Sequence, residues 1–345
     1  MSLQELIPVP LNHPVLMVSV FMLGACVGSF LNVCIYRIPK EKSVIWPGSF
    51  CYGCDTAIKW YDNLPILSWF ILKGKCRKCS ATFSMRYALI ELFVGLVFLA
   101  LWWKFYDEPA VAGIYMTMAG LLVMGSFIDI DERWLPDRVT IGMIVFGPIL
   151  SMLVPQLHGE YTALNALIAS LVGLGAGYWA LSFIAGLGKA IFRKEAMGYG
   201  DVKLVAGLGA ILGPAAVLWI VFSASVLGTI FGLAMMLLFK GKSLTPEARE
   251  AGLKTLLAEQ DKISKESQAL IAGLNTDNDE NFHKGITGLQ DLQEKLYALH
   301  AQCEQTLMPV EKNKLPFGPY LAVGALLWLF GGSELVDWYL STIFG

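Results

Sequence analysis

Carboxyl groups at the edge of hydrocarbon are costly to bury, so they are the first residues a membrane-like sequence must account for. Residues 127–137 read FIDIDERWLPD and place Asp129, Asp131, Glu132 and Asp137 at the end of an apolar run that begins near Val111. A further acid, Asp201, follows the glycines of GYGD (198–201), and Glu91 sits one turn into another apolar run. Asp129 and Asp201 both fall at the boundary of such a run, so two helix ends can bring their carboxyls together. A close pair does not readily hold two negative charges, so it keeps one proton and titrates as a unit. The carboxylate can then activate water while the acid polarises a scissile carbonyl, which is the chemistry of an aspartic protease. Gly198 and Gly200 are expected to serve this site through positive φ and close approach of an extended substrate backbone.

Thiols form the second group. Cys51 and Cys54 in CYGC and Cys76 and Cys79 in CRKC are two C-x-x-C pairs separated by 21 residues. That pattern predicts a four-thiolate zinc site, one residue beyond the usual spacing. Four thiolates leave no position for water, so the metal is expected to be structural. Cys26 and Cys34 lie inside an apolar run and read as packing residues.

The elements that carry these groups are membrane helices. With 55% hydrophobic and 16% charged residues and a mean hydropathy of +0.57, the chain is an all-α polytopic membrane protein. Apolar stretches at 15–36, 88–105, 111–128, 139–155, 163–188, 202–213, 215–239 and 317–332 give eight candidate spans, the sixth short. Threading these eight puts 25 of the 26 Lys and Arg residues on one side, with Lys104 alone on the other. Basic loops are cytoplasmic, so the N-terminus is expected outside and both aspartates at the cytoplasmic face. The first span is followed by Arg37, Lys40 and Lys42 and is expected to be a retained anchor rather than a signal peptide. The net charge of −2 and the lack of a basic, aromatic-rich patch exclude nucleic acid as a partner.

Five segments follow: an anchor (1–36), a small zinc-stapled cytoplasmic domain (37–87), a peptidase core (88–240), a cytoplasmic insertion (241–315), and a last helix with an external tail (316–345). In the insertion, Thr245-Pro246-Glu247 signals a helix start. Apolar residues at helical spacing run from Leu253 to Leu274 and from Phe282 to Leu307, with TDNDEN (276–281) between them. This predicts a helical hairpin whose stripes, within 245–307, can pack on each other, on a second copy or on a partner. No internal sequence repeat is evident.

GSFLNVCIYRIP (28–39), the cysteine pairs around DNLPILSWFILKGK (62–75), RYALIEL (86–92), D-x5-LPD (129–137), GYGD and PFGPYLA (316–322) occur in this order. Together they resemble the bacterial prepilin peptidases, intramembrane aspartic proteases with a GxGD motif. The resemblance implies cleavage of the leader of type IV prepilins or type II secretion pseudopilins at the bacterial inner membrane. It also implies N-methylation of the new terminus from S-adenosylmethionine. The rival reading is a GxGD protease that only cleaves. By this likeness Asp129 and Asp201 are the catalytic pair and Asp131 matches no catalytic position. Asp131 and Glu132 are then headgroup-level charges, and Asp137 reads as an N-cap. Glu91, Asn32 and Arg37 match patterned positions. Tyr52 and Ala88 stand where the family often has proline, and the long 241–315 segment has no counterpart in the pattern. No glycine-rich nucleotide loop marks a methyl-donor site, so no residue is assigned to it and the 37–87 domain is only a guess at its place.

Overall fold

The computed structural model describes residues 12–51, 53–193, 197–238, 246–272 and 316–344, together with positions 292, 295, 296 and 299. The chain forms two compact units, Met1–Thr229 with Pro316–Gly345, and Ile230–Leu315. Its helices are α1 (Pro14–Arg37), α2 (Leu67–Ile71), α3 (Arg86–Phe105), α4 (Pro109–Glu132), α5 (Asp137–Leu153) and α6 (Ala163–Phe192). They continue as α7 (Tyr199–Leu212), α8 (Pro214–Leu238), α9 (Pro246–Ala272), α10 (Gly318–Leu327) and α11 (Ser333–Phe344). Proline opens α1, α4, α8 and α9, where its missing N–H costs nothing and its fixed φ suits the first turn.

Six segments among the described residues are long and apolar enough to cross a bilayer: α1, α3, α4, Ala163–Ile191 of α6, α8, and Gly318–Ile343. The stretches 139–155 and 202–213, also expected to span, form α5 with 17 residues and α7 with 14. At 1.5 Å per residue these reach only about 26 and 21 Å. A short helix is tolerated because α7 is enclosed by protein: eleven of its residues, from Asp201 to Leu212, are buried. Its backbone ends therefore need not meet lipid.

Small residues set the spacing. Gly173 and Gly177 of α6 lie against Gly209 and Val205 of α7, where a β-carbon on Gly173 would stand 2.0 Å from the Gly209 carbonyl oxygen. Ser170 Oγ donates across this seam to the Ala210 carbonyl at 2.7 Å. Gly24 and Gly28 of α1 approach α3 in the same way, against Phe98 and the Glu91 backbone. Between membrane helices close approach substitutes for the hydrophobic drive that lipid abolishes. The most enclosed span is α4, buried along most of its length, whereas the others are buried along a third or less.

The last span extends beyond 332: a π turn at Trp328–Gly332 joins α10 to α11, so residues 333–344 are helical where a tail was expected. In the second unit Pro246 opens α9, as its sequence signal predicts. The TDNDEN turn and most of the second hairpin helix lie outside the described residues. Within that stretch Leu292, Lys295, Leu296 and Leu299 are helical, with Leu292 and Leu299 buried.

Candidate active site

Asp129 occupies the last turn of α4 and is 7% exposed. The helix stops one turn later because Arg133 turns left-handed, φ 63°, with its N–H bonded to the Asp129 carbonyl at 3.0 Å. Pro136 then directs the chain into α5. Asp201 stands in the first turn of α7 and is 8% exposed. Helix termini thus present both carboxyls, and Leu135 packs against both Gly200, the neighbour of Asp201, and Gly318, whose N–H bonds Asp129.

Two residues that sequence reasoning quoted only as motif letters build the floor between them. Leu135 of LPD, buried at 7%, wedges between α4, α7 and α10. Its side chain packs where β-carbons on Gly125, Gly200 and Gly318 would lie 3.4, 3.1 and 3.3 Å away. Gly318 of PFGP donates its N–H to Asp129 Oδ2 at 3.0 Å, a bond linking positions 189 residues apart. A β-carbon on Gly318 would sit 2.8 Å from that oxygen, so any side chain there must displace the Asp129 carboxyl. Gly318→Ala is expected to push the Asp129 carboxyl aside and lower cleavage by about 100-fold. Steady-state kinetics on the folded variant would check this, and near-normal kcat would remove Gly318 from the site.

The glycines of GYGD act differently from expectation. Gly198 is extended at φ −71° and ψ 142° and Gly200 is helical, so neither adopts positive φ. At Gly200 the lack of a side chain gives Leu135 room, since a β-carbon there would stand 3.1 Å from the Leu135 β-carbon, whereas at Gly198 a β-carbon would meet Asp201 Oδ2 at an ordinary 3.6 Å.

Three of the other candidate acids, Asp131, Asp137 and Glu91, have partners. Asp131 takes a two-pronged bond from Arg86 at 2.9 and 2.6 Å, pinning the end of α4 to the start of α3. Arg86 also lies over the Phe127 ring at 4.9 Å. Asp137 is the first residue of α5 and makes no capping bond; its carboxylate pairs with Lys203 of α7 instead. Charge attraction from the neighbouring helix decides that orientation. Arg37, buried at the end of α1, donates to the carbonyls of Ser43, Pro47 and Gly48. Asn32 donates to the Tyr87 carbonyl at 3.1 Å, and Glu91 accepts from the Ile66 N–H at 2.6 Å. All three therefore tie the four-cysteine domain and its borders to α1 and α3.

The four thiols converge. Their sulfur atoms lie within 4.8 Å of one another, and Cys51 and Cys79 are 3.6 Å apart. A tetrahedral ion with metal–sulfur bonds of about 2.3 Å needs sulfur separations of about 3.8 Å, so the set fits a metal ion. Although the sequence shows no repeat, the two segments fold alike. Cys51 and Cys76 donate backbone N–H bonds to Thr56 and Ala81, and Asp55 and Ser80 return bonds to the cysteine carbonyls. Asp55 and Ser80 share positive φ, 50° and 58°. Gly53 and Lys78 amides point at the Cys51 and Cys76 sulfurs, both at 3.4 Å, and favour thiolates there. Hydrogen bonds with Thr56 bring the Cys54 thiol down to about 6. A backbone bond at Ala81 favours the Cys79 thiolate, but its neighbouring thiols outweigh it and push Cys79 up to about 12. A cation at the centre relieves that repulsion.

Between these knuckles and α1 and α3 lies a cavity of about 480 Å³, lined among others by Asn32, Asp62, Trp69, Lys75, Tyr87 and Glu91. Asp62 is held in an ion pair by Arg77, which keeps its carboxyl below the usual range. Glu91 takes its hydrogen bond from a backbone amide.

Comparison with known proteins agrees with this layout. Residues 22–105 match the Bacterial Peptidase A24 N-terminal domain and residues 116–233 match the Type IV leader peptidase family. A Myxococcus xanthus protein named prepilin leader peptidase/N-methyltransferase is 36% identical over 228 residues, covering 65% of this chain and 64% of the relative. An Escherichia coli type 4 prepilin-like proteins leader peptide-processing enzyme is also 36% identical, over 61% of this chain and 82% of the relative. An Aeromonas salmonicida prepilin leader peptidase/N-methyltransferase is 28% identical over 94% of both chains. No solved structure matches. The four-cysteine domain with α1 and α3 carries the first family match and the segments bearing Asp129 and Asp201 lie inside the second, so this chain is an enzyme that belongs to the type IV leader peptidase family.

Proposed function

We propose that this protein cleaves the leader of type IV prepilins or type II secretion pseudopilins with the Asp129–Asp201 pair, and that it N-methylates the new terminus. The observation that carries the reading is the pair itself: two enclosed carboxyls on different helix ends, with the Gly318 N–H fixing one of them. Hydrolysis needs one carboxyl ionised and the other protonated. The ionised oxygen takes a proton from water as its oxygen attacks the scissile carbonyl carbon. The protonated partner donates to the carbonyl oxygen, and the proton then passes to the leaving amine as the C–N bond breaks. Gly318 holds Asp129 in one orientation, which suits that relay. The reaction is assigned to the cytoplasmic face of the inner membrane because counting the short, protein-enclosed α5 and α7 as crossings keeps 25 of the 26 Lys and Arg residues on that side.

The metal is assigned as zinc, since four cysteine sulfurs within 4.8 Å of one another would fill a tetrahedral shell and leave no open position, as in a structural zinc site. The cavity of about 480 Å³ falls within the range of small-molecule sites, and it is the place assigned to S-adenosylmethionine. That donor supplies an electrophilic methyl group on a sulfonium. The acceptor amine would gain its N–C bond as the methyl–sulfur bond breaks and a neutral thioether leaves, and it must lose a proton; Glu91 is the carboxylate on the wall whose hydrogen bond comes from a neutral donor. Glu91→Gln keeps an oxygen for the Ile66 amide but cannot take a proton. It is expected to lower methyl transfer by about 100-fold with cleavage retained. Equal loss of both activities would show that Glu91 only holds the fold.

Incubating the purified protein with a prepilin and isotope-labelled S-adenosylmethionine tests the whole reading. Cleaved, labelled pilin is the expected product. Cleavage without label would favour the protease-only alternative, and neither product would refute the proposal.

A further inference from the structure

The four-cysteine domain exposes apolar side chains that no neighbour covers among the described residues. On α2, Ser68 is buried while Leu67, Phe70 and Ile71 remain 55%, 57% and 67% exposed, and Leu64 just before it is exposed too. Three large apolar groups on one five-residue helix are an unfavourable surface in water.

The depth of α2 is fixed by a bond. The Ile66 N–H at its start donates to Glu91 Oε2 at 2.6 Å. Glu91 lies five residues into α3 from Arg86, which is about 7 Å along a helix axis. Interfacial helices bury their apolar face by about 5–10 Å into the headgroup and acyl boundary. Beside Glu91, α3 itself exposes Leu89, Leu92 and Phe93, the surface a membrane-spanning helix turns to lipid. The bond to Glu91 thus holds the start of α2 at the level of α3 where these apolar residues are exposed. Charge agrees: residues 37–86 hold nine Lys and Arg against three Asp and Glu. That excess favours anionic headgroups.

We infer that α2 is an interfacial anchor: Leu67, Phe70 and Ile71 insert into the bilayer leaflet beside α3, and the basic residues around them contact anionic lipid headgroups. The four-cysteine domain is then a membrane-seated module held by α1, α3 and α2, and the cavity behind Glu91 opens at the lipid–water boundary, not in bulk water.

The test uses the full-length protein in nanodiscs of phosphatidylethanolamine and phosphatidylglycerol. The photo-crosslinking amino acid p-benzoylphenylalanine is placed at Phe70, Ile71 or, as a control, exposed Asp55. Mass spectrometry of the irradiated protein is expected to find acyl-chain adducts from positions 70 and 71 and none from 55. Adducts from 70 and 71 that join only protein, whether a second copy or a co-purified partner, would overturn the inference, as would no adduct from folded protein. Hydrogen exchange gives an independent reading. Amides of residues 67–72 are expected to be protected in nanodiscs, with that protection lost in the double variant Phe70→Asp, Ile71→Asp. Unchanged protection in a folded double variant would equally overturn it.

Discussion

Asp201→Asn, and separately Asp129→Asn, is expected to abolish leader cleavage while the protein still inserts and folds. Asparagine keeps the size of the side chain and an oxygen that can accept the Gly318 N–H, so the packing around Leu135 survives. What it loses is the proton that the pair must pass between water, carbonyl and leaving amine. Removing a positioned acid or base costs up to about 10⁴-fold, and here each partner is useless without the other. Asp131→Asn is the control from the same helix end. It breaks only the bond to Arg86, a half-exposed ion pair worth at most about 1 kcal/mol, and should keep most activity. Mass-spectrometric assays of cleaved substrate on detergent-purified variants decide the point. Normal processing by Asp201→Asn would overturn the assignment of the pair.

The second large effect concerns the thiols. One zinc ion per chain is expected by metal analysis of reduced, freshly purified protein, and Cys51→Ser should release it. Cys51 is buried and its backbone anchors the first knuckle through Thr56 and Asp55, so the lost ligand cannot be replaced by a shift of the chain. A small domain stapled by metal loses folding free energy with the ion. Residues 43–85 should then become sensitive to limited proteolysis. Methyl transfer should fall further than cleavage, because Cys51 and Cys76 line the cavity beside Glu91 whereas the aspartates sit on α4 and α7. Wild-type protein free of zinc, with four reduced thiols and an ordered domain, would refute the structural metal.

The sequence by itself determined the class of protein, the positions of the six long spans and the two cysteine pairs, and it singled out the two aspartates as candidates. Hydropathy reports which solvent a segment meets, cysteine spacing reports a local knuckle, and an acid at the end of an apolar run is conspicuous wherever it occurs. Only the tertiary structure decided what surrounds those groups. Gly318 reaches Asp129 across 189 residues, and Leu135 lies against three glycines on three helices. Gly200 gives that wedge its room and does not adopt positive φ. Asp137 reads as a helix cap until α7 brings Lys203 to it. Likewise 14 residues are too few to span a bilayer by composition alone, yet α7 is stable because other helices enclose it. Each of these facts depends on how helices distant in sequence lie against one another. That arrangement is set by interlocking small and large side chains such as Gly173 on Gly209, a fit that no periodicity within a single helix encodes.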